Sequence, residues 1–148
     1  MNKSIIGTNK TTPTASITVD MGTALTFIAV DGGGAILGVS ITTGIETALN
    51  ALIKNTGQLQ QYDLKIPAQA LGKTTHESLN SGIMLGYKHL IKGMVNQIKD
   101  EVGEPMKVYA TGGLSELMKS LSAPHDTVFD EINPYHTLDG LSILATYN

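Results

Sequence analysis

Residues 16–41 read SITVDMGTALTFIAVDGGGAILGVSI, and this stretch decides the fold. Its apolar runs over 16–19 and 24–30 predict two buried strands, which a turn at Asp20–Thr23 joins. The Asp-Gly-Gly-Gly sequence at 31–34 is typical of a hairpin and leads into a third apolar run. Three antiparallel strands in succession form a β-meander, so we expect these residues to form three neighbouring strands of a sheet.

The third strand spans 35–41, and helices alternate with strands after it. Thr-x-x-Glu capping boxes at Thr43–Glu46 and Thr74–Glu77 predict the starts of two helices, the second with an apolar stripe that continues to Ile98. The first helix should end near residues 54–55, and a loop should fill 56–71. The remaining predictions are a strand at 107–110, a helix at 115–120, a strand at 127–129 and a terminal helix over 138–145 behind Thr137. This order describes one half of an actin-like nucleotide-binding fold, and it also fits several unrelated α/β sheets.

Length and composition limit the classes of protein. A chain of 148 residues fits a single domain, which we place at residues 15–148 after a polar, flexible leader at 1–14. A net charge of −3 disfavours a nucleic-acid partner, and a sequence without cysteine has no disulfides or thiolate chemistry. No apolar run approaches the ~18 residues that a membrane span needs. We therefore expect a cytoplasmic protein with no membrane or nucleic-acid partner.

Three turns carry the candidate site residues. In the first, Asp20, Gly22 and Thr23 bring a carboxylate, an unobstructed backbone and a hydroxyl to a strand end, which suits phosphate and cation handling. In the second, Gly72–Thr75 opens the long helix with N–H groups that attract anions, although the first glycine of a P-loop is missing. In the third, Thr111–Gly113 ends a strand in glycines against which a nucleobase or ribose can lie. The respective alternatives are an ordinary hairpin corner, a helix cap and a strand–helix turn.

The long helix contains three glycines, Gly82, Gly86 and Gly93. Each costs about 1 kcal/mol of helix stability relative to alanine. Their presence predicts that another backbone packs closely against this helix, either within the chain or at a subunit interface.

The motifs together, in their order and spacing, resemble those of type III pantothenate kinases. The resemblance runs from Ser16 to the last residue and rests on Asp20–Ala24, Leu37–Gly38, Ile41–Ile45, Gly72–Thr75, Asn80–Gly82, Ala110–Leu114, Leu138–Leu141 and Asn148.

This resemblance implies an α/β fold, namely a ribonuclease-H-like half of an actin-like ATPase or sugar-kinase fold. It also implies ATP-dependent phosphorylation of pantothenate, the first step towards coenzyme A, with Mg²⁺ and a monovalent cation (K⁺ or NH₄⁺). Asp20 is then expected to hold the monovalent cation, and Gly22 and Thr23 to contact ATP. The turn of Thr111, Gly112 and Gly113 would lie beside the nucleotide, and Thr75 would contact pantothenate across a dimer interface.

Two motifs of that family do not occur in this sequence. One is an Asp-x-Gly-Asn-Thr phosphate loop, and the other is a Gly-x-Asp-Arg motif whose aspartate is the proposed general base. The chain thus resembles only the second, C-terminal half, and we assign no catalytic residue within it. We expect a homo-oligomer, or a hetero-oligomer with a chain that supplies the N-terminal half, and no activity in isolation.

Two other functions remain open on the sequence alone. The chain could be a catalytically incomplete paralogue that binds nucleotide or pantothenate as a regulatory subunit. Alternatively, the resemblance could hold for the fold only, with another small anion or a sugar as ligand.

Overall fold

The computed structural model describes residues 14–56, 62–121 and 126–136. The elements in these ranges are β1 (Ser16–Met21), β2 (Ala24–Val30), β3 (Ile36–Thr43), α1 (Ile45–Thr56), α2 (Thr75–Val102), β4 (Lys107–Thr111), α3 (Ser115–Leu121) and β5 (Glu131–Ile132). Residues 1–13 of the predicted leader, Thr137 and the predicted terminal helix lie outside the described residues.

The described strands form one mixed sheet in the order β3-β2-β1-β4-β5. Strand β2 pairs antiparallel with both β1 and β3, which confirms the predicted meander. Strand β4 pairs parallel with β1, and β5 pairs parallel with β4. As a result β1, β3 and β4 all end at the same edge of the sheet.

A hairpin joins β2 to β3, as the glycine run predicts. One carboxylate oxygen of Asp31 accepts hydrogen bonds from the N–H groups of Gly33, at 2.9 Å, and Ala35, at 2.8 Å. Gly34 has a φ of 90°, a conformation that glycine adopts without strain. Asp31 therefore serves its own turn, at the opposite end of β2 from the Asp20 turn.

The main core lies between one face of the sheet and the helices. Alternate residues of β1 and β2 face this core, and Val19 and Phe27 are directly paired and fully buried. Met84 and Ile91 of α2 pack into the same cluster. Burial of such side chains contributes about 1.5–3 kcal/mol each, so the core fixes the sheet and the helices relative to each other.

Two predicted boundaries are wrong. The first helix begins at Ile45, and the N–H of Ala48 donates to the carbonyl of Gly44, so Gly44 rather than Thr43 occupies the N-cap position. The last strand is Glu131–Ile132 rather than 127–129. Thr127 forms a local turn in which its hydroxyl accepts from the N–H of Phe129, and backbone pairing with β4 begins only at Asp130.

The three helical glycines also correct an expectation. Apart from the neighbouring backbone of the helix itself, no described atom lies within 4 Å of the position where a Cβ would stand at Gly82, Gly86 or Gly93, and all three are exposed. Close packing of another segment among the described residues is therefore the wrong explanation for them. A subunit interface stays a prediction.

Helix α2 is the longest described helix and ends at Gly103, which has a φ of 73° and donates its N–H to the carbonyl of Lys99. None of the described helices is both long and apolar enough to cross a lipid bilayer. Asp126, in the segment before β5, bridges Lys88 and Lys92 of α2. These two lysines lower the pKa of Asp126 to about 2 and tie that segment to the helix.

Candidate functional site

The first and third candidate turns meet at the edge where β1, β3 and β4 end. Asp20 of β1 is the direct partner of Thr111 in β4, and Ala24 is the partner of Thr43 at the end of β3. In open α/β sheets, ligands bind outside the carboxyl ends of strands. This edge is the natural place for a ligand site.

Two glycines allow the segments at this edge to approach closely. At Gly112 the φ is +93°, and an added Cβ would stand 2.6 Å from the carbonyl oxygen of Met21. At Gly44 an added Cβ would stand 2.2 Å from the carbonyl oxygen of Gly22 and 2.4 Å from that of Thr23. Any side chain at either position would push the strand ends apart. We call this arrangement of Asp20–Thr23, Gly44 and Thr111–Gly113 the strand-end corner.

Hydrogen bonds lock the same corner. The carbonyl of Thr23 accepts from the N–H of Gly44 at 3.0 Å and from the hydroxyl of Thr47 at 2.9 Å. The phenolic hydroxyl of Tyr87, on α2, donates to the carbonyl of Thr43 at 2.8 Å. Hydrogen bonds thus fix the Asp20 turn to α1 and to the residue after β3. The end of β3 is in turn hydrogen-bonded to α2.

The carboxylate of Asp20 is half-buried at this corner. Burial raises its pKa, because the charged form loses hydration. The described residues contain no group of three or more His, Asp or Glu side chains that could hold a metal ion. A cation at Asp20 would therefore take its other ligands from backbone, hydroxyl or solvent oxygens, which hard cations accept.

The tip of the Asp20 turn is open to solvent. Gly22 and Thr23 are both exposed. The N–H of Gly22 already donates to the carbonyl of Ala24 at 3.2 Å, so it does not point outward as an anion-binding nest requires. The exposed hydroxyl-bearing side chain of Thr23 is the group at this tip that suits an anionic ligand.

In the third turn, Gly113 is exposed and Gly112 is half-exposed, whereas the threonine is buried. Thr111 is fully buried, and its hydroxyl donates to the carbonyl of Pro134 at 3.5 Å. The hydroxyl of Ser115 donates to the carbonyl of Gly112 at 2.7 Å and fixes the turn into α3. A ligand here would contact the backbone of Gly112 and Gly113 rather than the hydroxyl of Thr111.

A groove of about 870 Å³ starts directly after this turn. Its apolar lining comes from Leu114 and Leu117 after the turn, from Leu49 and Ile53 of α1, and from Tyr62 and Leu64. The polar lining residues are Glu46, Asn50, Lys54 and Asp63. Drug-sized ligands occupy clefts of roughly 300–1,000 Å³ with mostly apolar linings. The groove has the size and the lining for a flat organic group.

The second turn, Gly72–Thr75, is separate and already satisfied. Thr74 caps α2 by accepting from the N–H of Glu77 at 3.2 Å, which confirms the predicted capping box. The carboxylate of Glu77 accepts from the N–H of Lys73 at 2.7 Å. Acceptors within the chain therefore already bind the N–H groups that an anion would need. This turn acts as a helix cap, which is the alternative that the sequence left open.

Thr75 does not join the strand-end corner within this chain. It is exposed at the first position of α2, twelve residues before the tyrosine that contacts Thr43. At 1.5 Å per residue, that separation is about 18 Å along the helix. The structure thus brings together six of the seven predicted site residues and leaves Thr75 apart.

Sequence reasoning missed Gly44 and Tyr87. A glycine between the end of β3 and the start of α1 is the signal for Gly44, since that position needs a close backbone approach. Tyr87 lies in the apolar stripe of α2, and a buried tyrosine hydroxyl needs a polar partner. Neither signal identifies the partner.

Comparison with known proteins gives the family. A family model described as type III pantothenate kinase matches residues 3–97. The chain belongs to the type III pantothenate kinase family. Among its relatives is a protein named type III pantothenate kinase from Zymomonas mobilis, 42% identical over 130 residues, which span 86% of this chain and 46% of the relative. A protein of the same name from Thermus thermophilus is 43% identical over 125 residues, 84% of this chain and 48% of the relative.

The chain therefore spans about half the length of the curated relatives that it matches. Two solved structures show the fold. One is a conserved putative Baf family transcriptional activator from Campylobacter jejuni, with a TM-score of 0.54 and 21% identity over 90% of this chain and 58% of that one. The other is the activator of the 2-hydroxyisocaproyl-CoA dehydratase from Clostridium difficile with bound ADPNP, with a TM-score of 0.51 and 12% identity over 97% of this chain and 64% of that one. The predicted α/β fold, a ribonuclease-H-like half of the actin-like ATPase fold, is confirmed.

Proposed function

We propose that this chain is the C-terminal half of a cytoplasmic type III pantothenate kinase, which transfers the γ-phosphoryl group of ATP to the hydroxyl of pantothenate. The observation that carries the proposal is the strand-end corner. There Asp20, Thr23 and the backbone of Gly112 and Gly113 come from distant parts of a chain that belongs to this family.

In this proposal the nucleotide follows the corner into the groove. The phosphates lie toward the exposed Thr23, whose hydroxyl can donate to a phosphate oxygen. The ribose and base lie across the bare backbone of Gly112 and Gly113 and continue into the apolar groove beside Leu114. The close approach of Gly112 to Met21 keeps the two turns in register for this binding.

The residues at the corner fit a bound cation. A half-buried carboxylate whose pKa burial raises gains stability from a nearby positive charge, and it would otherwise repel the phosphates. We assign Asp20 as a ligand of the monovalent cation, K⁺ or NH₄⁺. Together with Mg²⁺ on the phosphates, such a cation offsets negative charge, and phosphoryl transfer depends mainly on this charge compensation and on positioning.

The rest of the active site must come from another segment or chain. The sequence contains neither the phosphate loop nor the general-base motif of the family. Loss of a general base alone costs about 10²–10⁴ in rate. We therefore propose that the isolated chain is inactive and that a partner supplies the N-terminal half.

Two exposed surfaces support an oligomer. All eight residues of the edge strand β3 lie at least partly open, and Val39 and Ile41 expose 52% and 69% of their area. A long apolar edge strand without charges or proline favours pairing with another chain.

The glycine-bearing face of α2 is likewise unobstructed. We propose that this helix lies at a dimer interface, across which the exposed Thr75 contacts pantothenate.

A complementation assay tests the proposal. The chain is assayed for ATP-dependent phosphorylation of pantothenate, alone and after co-expression with the N-terminal half of the Thermus thermophilus relative, with and without K⁺. We expect no turnover alone and K⁺-dependent turnover of the pair. Asp20→Ala combined with Thr75→Ala should abolish that turnover, whereas Asp31→Asn, at the far end of β2, should preserve it.

The outcomes separate the alternatives. Turnover by the isolated chain would refute the requirement for a second half. A pair that forms and binds ATP and pantothenate without turnover would favour the regulatory subunit. Full activity of the double variant would remove Asp20 and Thr75 from the site.

A further inference from the structure

One amide side chain holds the segment 62–67 against the start of α2. The Oδ1 atom of Asn80 accepts from the N–H of Lys65 at 3.0 Å, and its Nδ2 atom donates to the carbonyl of Lys65 at 2.7 Å. The two bonds satisfy both backbone polar groups of Lys65, as a neighbouring strand would. Because a segment without regular secondary structure has few such partners, this pair of bonds fixes the position of the segment.

A ring contact fixes the same segment one turn earlier on α2. The rings of Tyr62 and His76 are stacked with centroids 5.1 Å apart and planes at 30°. Asn80 and His76 stand four residues apart, so they lie on one side of the helix. The segment is thus attached to α2 at two points, Lys65 and Tyr62.

This segment forms one wall of the groove. Tyr62, Asp63 and Leu64 line it together with Leu114, with Leu117 of α3 and with residues of α1. Asn80 itself does not line the groove, and it reaches the segment through the backbone of Lys65. Asn80 therefore supports the wall from outside.

The lining indicates which end of a nucleotide the groove accepts. Aliphatic side chains and Tyr62 form just over half of its described lining, and Tyr62 offers a ring edge or face to a flat group. Its carboxylates, Glu46 and Asp63, accept hydrogen bonds and repel phosphate, while Lys54 is the one cation among the described lining residues. A base whose exocyclic amino group donates a hydrogen bond suits this wall, and a polyphosphate does not.

We infer that Asn80 is a positioning residue for nucleotide binding, which holds the Tyr62–Leu64 wall in place against the base without touching the base. The inference rests on the proposed function, because it takes the groove to be the base-binding part of the ATP site. It adds a role for a segment that the sequence pattern identifies only as a connecting loop.

The test compares ATP with inorganic tripolyphosphate, which has no base. Both are titrated with Mg²⁺ into the ¹⁵N-labelled full chain and followed by amide chemical shifts. The variants are Asn80→Ala, Asn80→Asp, which retains an acceptor for the Lys65 N–H, and Asn96→Ala, an exposed asparagine on the same helix, as the matched control. Loss of two hydrogen bonds should weaken ATP binding about tenfold in Asn80→Ala. Asn80→Asp should lie in between, and tripolyphosphate binding should not change in any variant.

Each result has a distinct meaning. If the wild type binds ATP and Asn80→Ala or Asn80→Asp binds it equally well, the inference is overturned while the proposed function stands. Equal losses for ATP and tripolyphosphate would also overturn it, because they indicate a general structural role. Should Asn80→Ala not fold, the Asn80→Asp variant decides between these outcomes. If the wild type shows no shifts with either ligand, this inference fails, because the groove then binds no base, and the complementation assay still decides the proposed function by itself.

Discussion

Two turns of this chain look alike in sequence and differ in what they can bind. The Asp20–Thr23 turn of the strand-end corner and the Gly72–Thr75 turn both combine glycine with threonine beside a strand or helix end. In the second, Thr74 and the carboxylate of Glu77 already accept from nearby backbone N–H groups. At the corner, Thr23 is exposed and Asp20 has a pKa raised by burial. A turn that completes its own hydrogen bonds is a cap, whereas a turn that combines a half-buried carboxylate with an exposed hydroxyl is a candidate site.

The largest effect should follow from breaking the corner. Gly112→Ala forces a Cβ to within 2.6 Å of the Met21 carbonyl at a φ of +93°. We expect a loss of about 3 kcal/mol in the free energy of unfolding, from overpacking and left-handed strain together. Urea denaturation measures it. The matched control is Gly113→Ala, where nothing lies within 4 Å, and it should change stability by less than about 0.5 kcal/mol.

The cap at the second turn should give a smaller loss. Thr74→Ala removes the acceptor for the Glu77 N–H and should cost about 1 kcal/mol. Thr75→Ala, one residue on, lacks that capping role and should cost much less. Both variants are compared by urea denaturation. Equal costs for the two would contradict the assignment of Thr74 as the cap.

The exposed glycines of α2 should respond in the opposite direction. Gly82→Ala should stabilise an isolated chain by up to about 1 kcal/mol, because nothing obstructs a Cβ there and alanine favours the helix. Sedimentation of the wild type and the variant is the second readout. A stabilised monomer together with a weakened oligomer would place Gly82 at the proposed interface, whereas an unchanged oligomer would exclude it.

The smallest effect concerns the charge of Asp20. A carboxyl group whose pKa is higher in the folded state than in the unfolded state destabilises the fold when it is ionised. Asp20→Asn should therefore be more stable than the wild type at pH 7. The difference should shrink as the pH falls through the raised pKa of the folded state toward the ordinary value of 3.8. Urea midpoints across this range, without added K⁺, measure it, and a gap that stays constant with pH would contradict burial as the cause.

Much of this architecture could be predicted from the sequence. The alternating and continuous apolar runs around Asp31–Gly34 identify the meander, and the spacing after Thr74 identifies α2, because these patterns are local. The site was only partly predictable. Motif order indicated Asp20, Thr23 and Gly112, but the contact of Gly44 with Thr23 joins segments whose packing depends on the whole core. The bonds between Asn80 and Lys65 lie in a segment with no period, and no pattern identifies them.

The most direct test of the corner is a titration of the ¹⁵N-labelled chain with inorganic tripolyphosphate, with KCl and MgCl₂ present. We expect saturable amide shifts at Thr23, on the phosphate side of the corner, that Asp20→Ala weakens, with no change at Lys73 or Thr75. Shifts confined to residues 72–75 would contradict this expectation, because the anion site would then be the helix start and the strand-end corner only a structural turn.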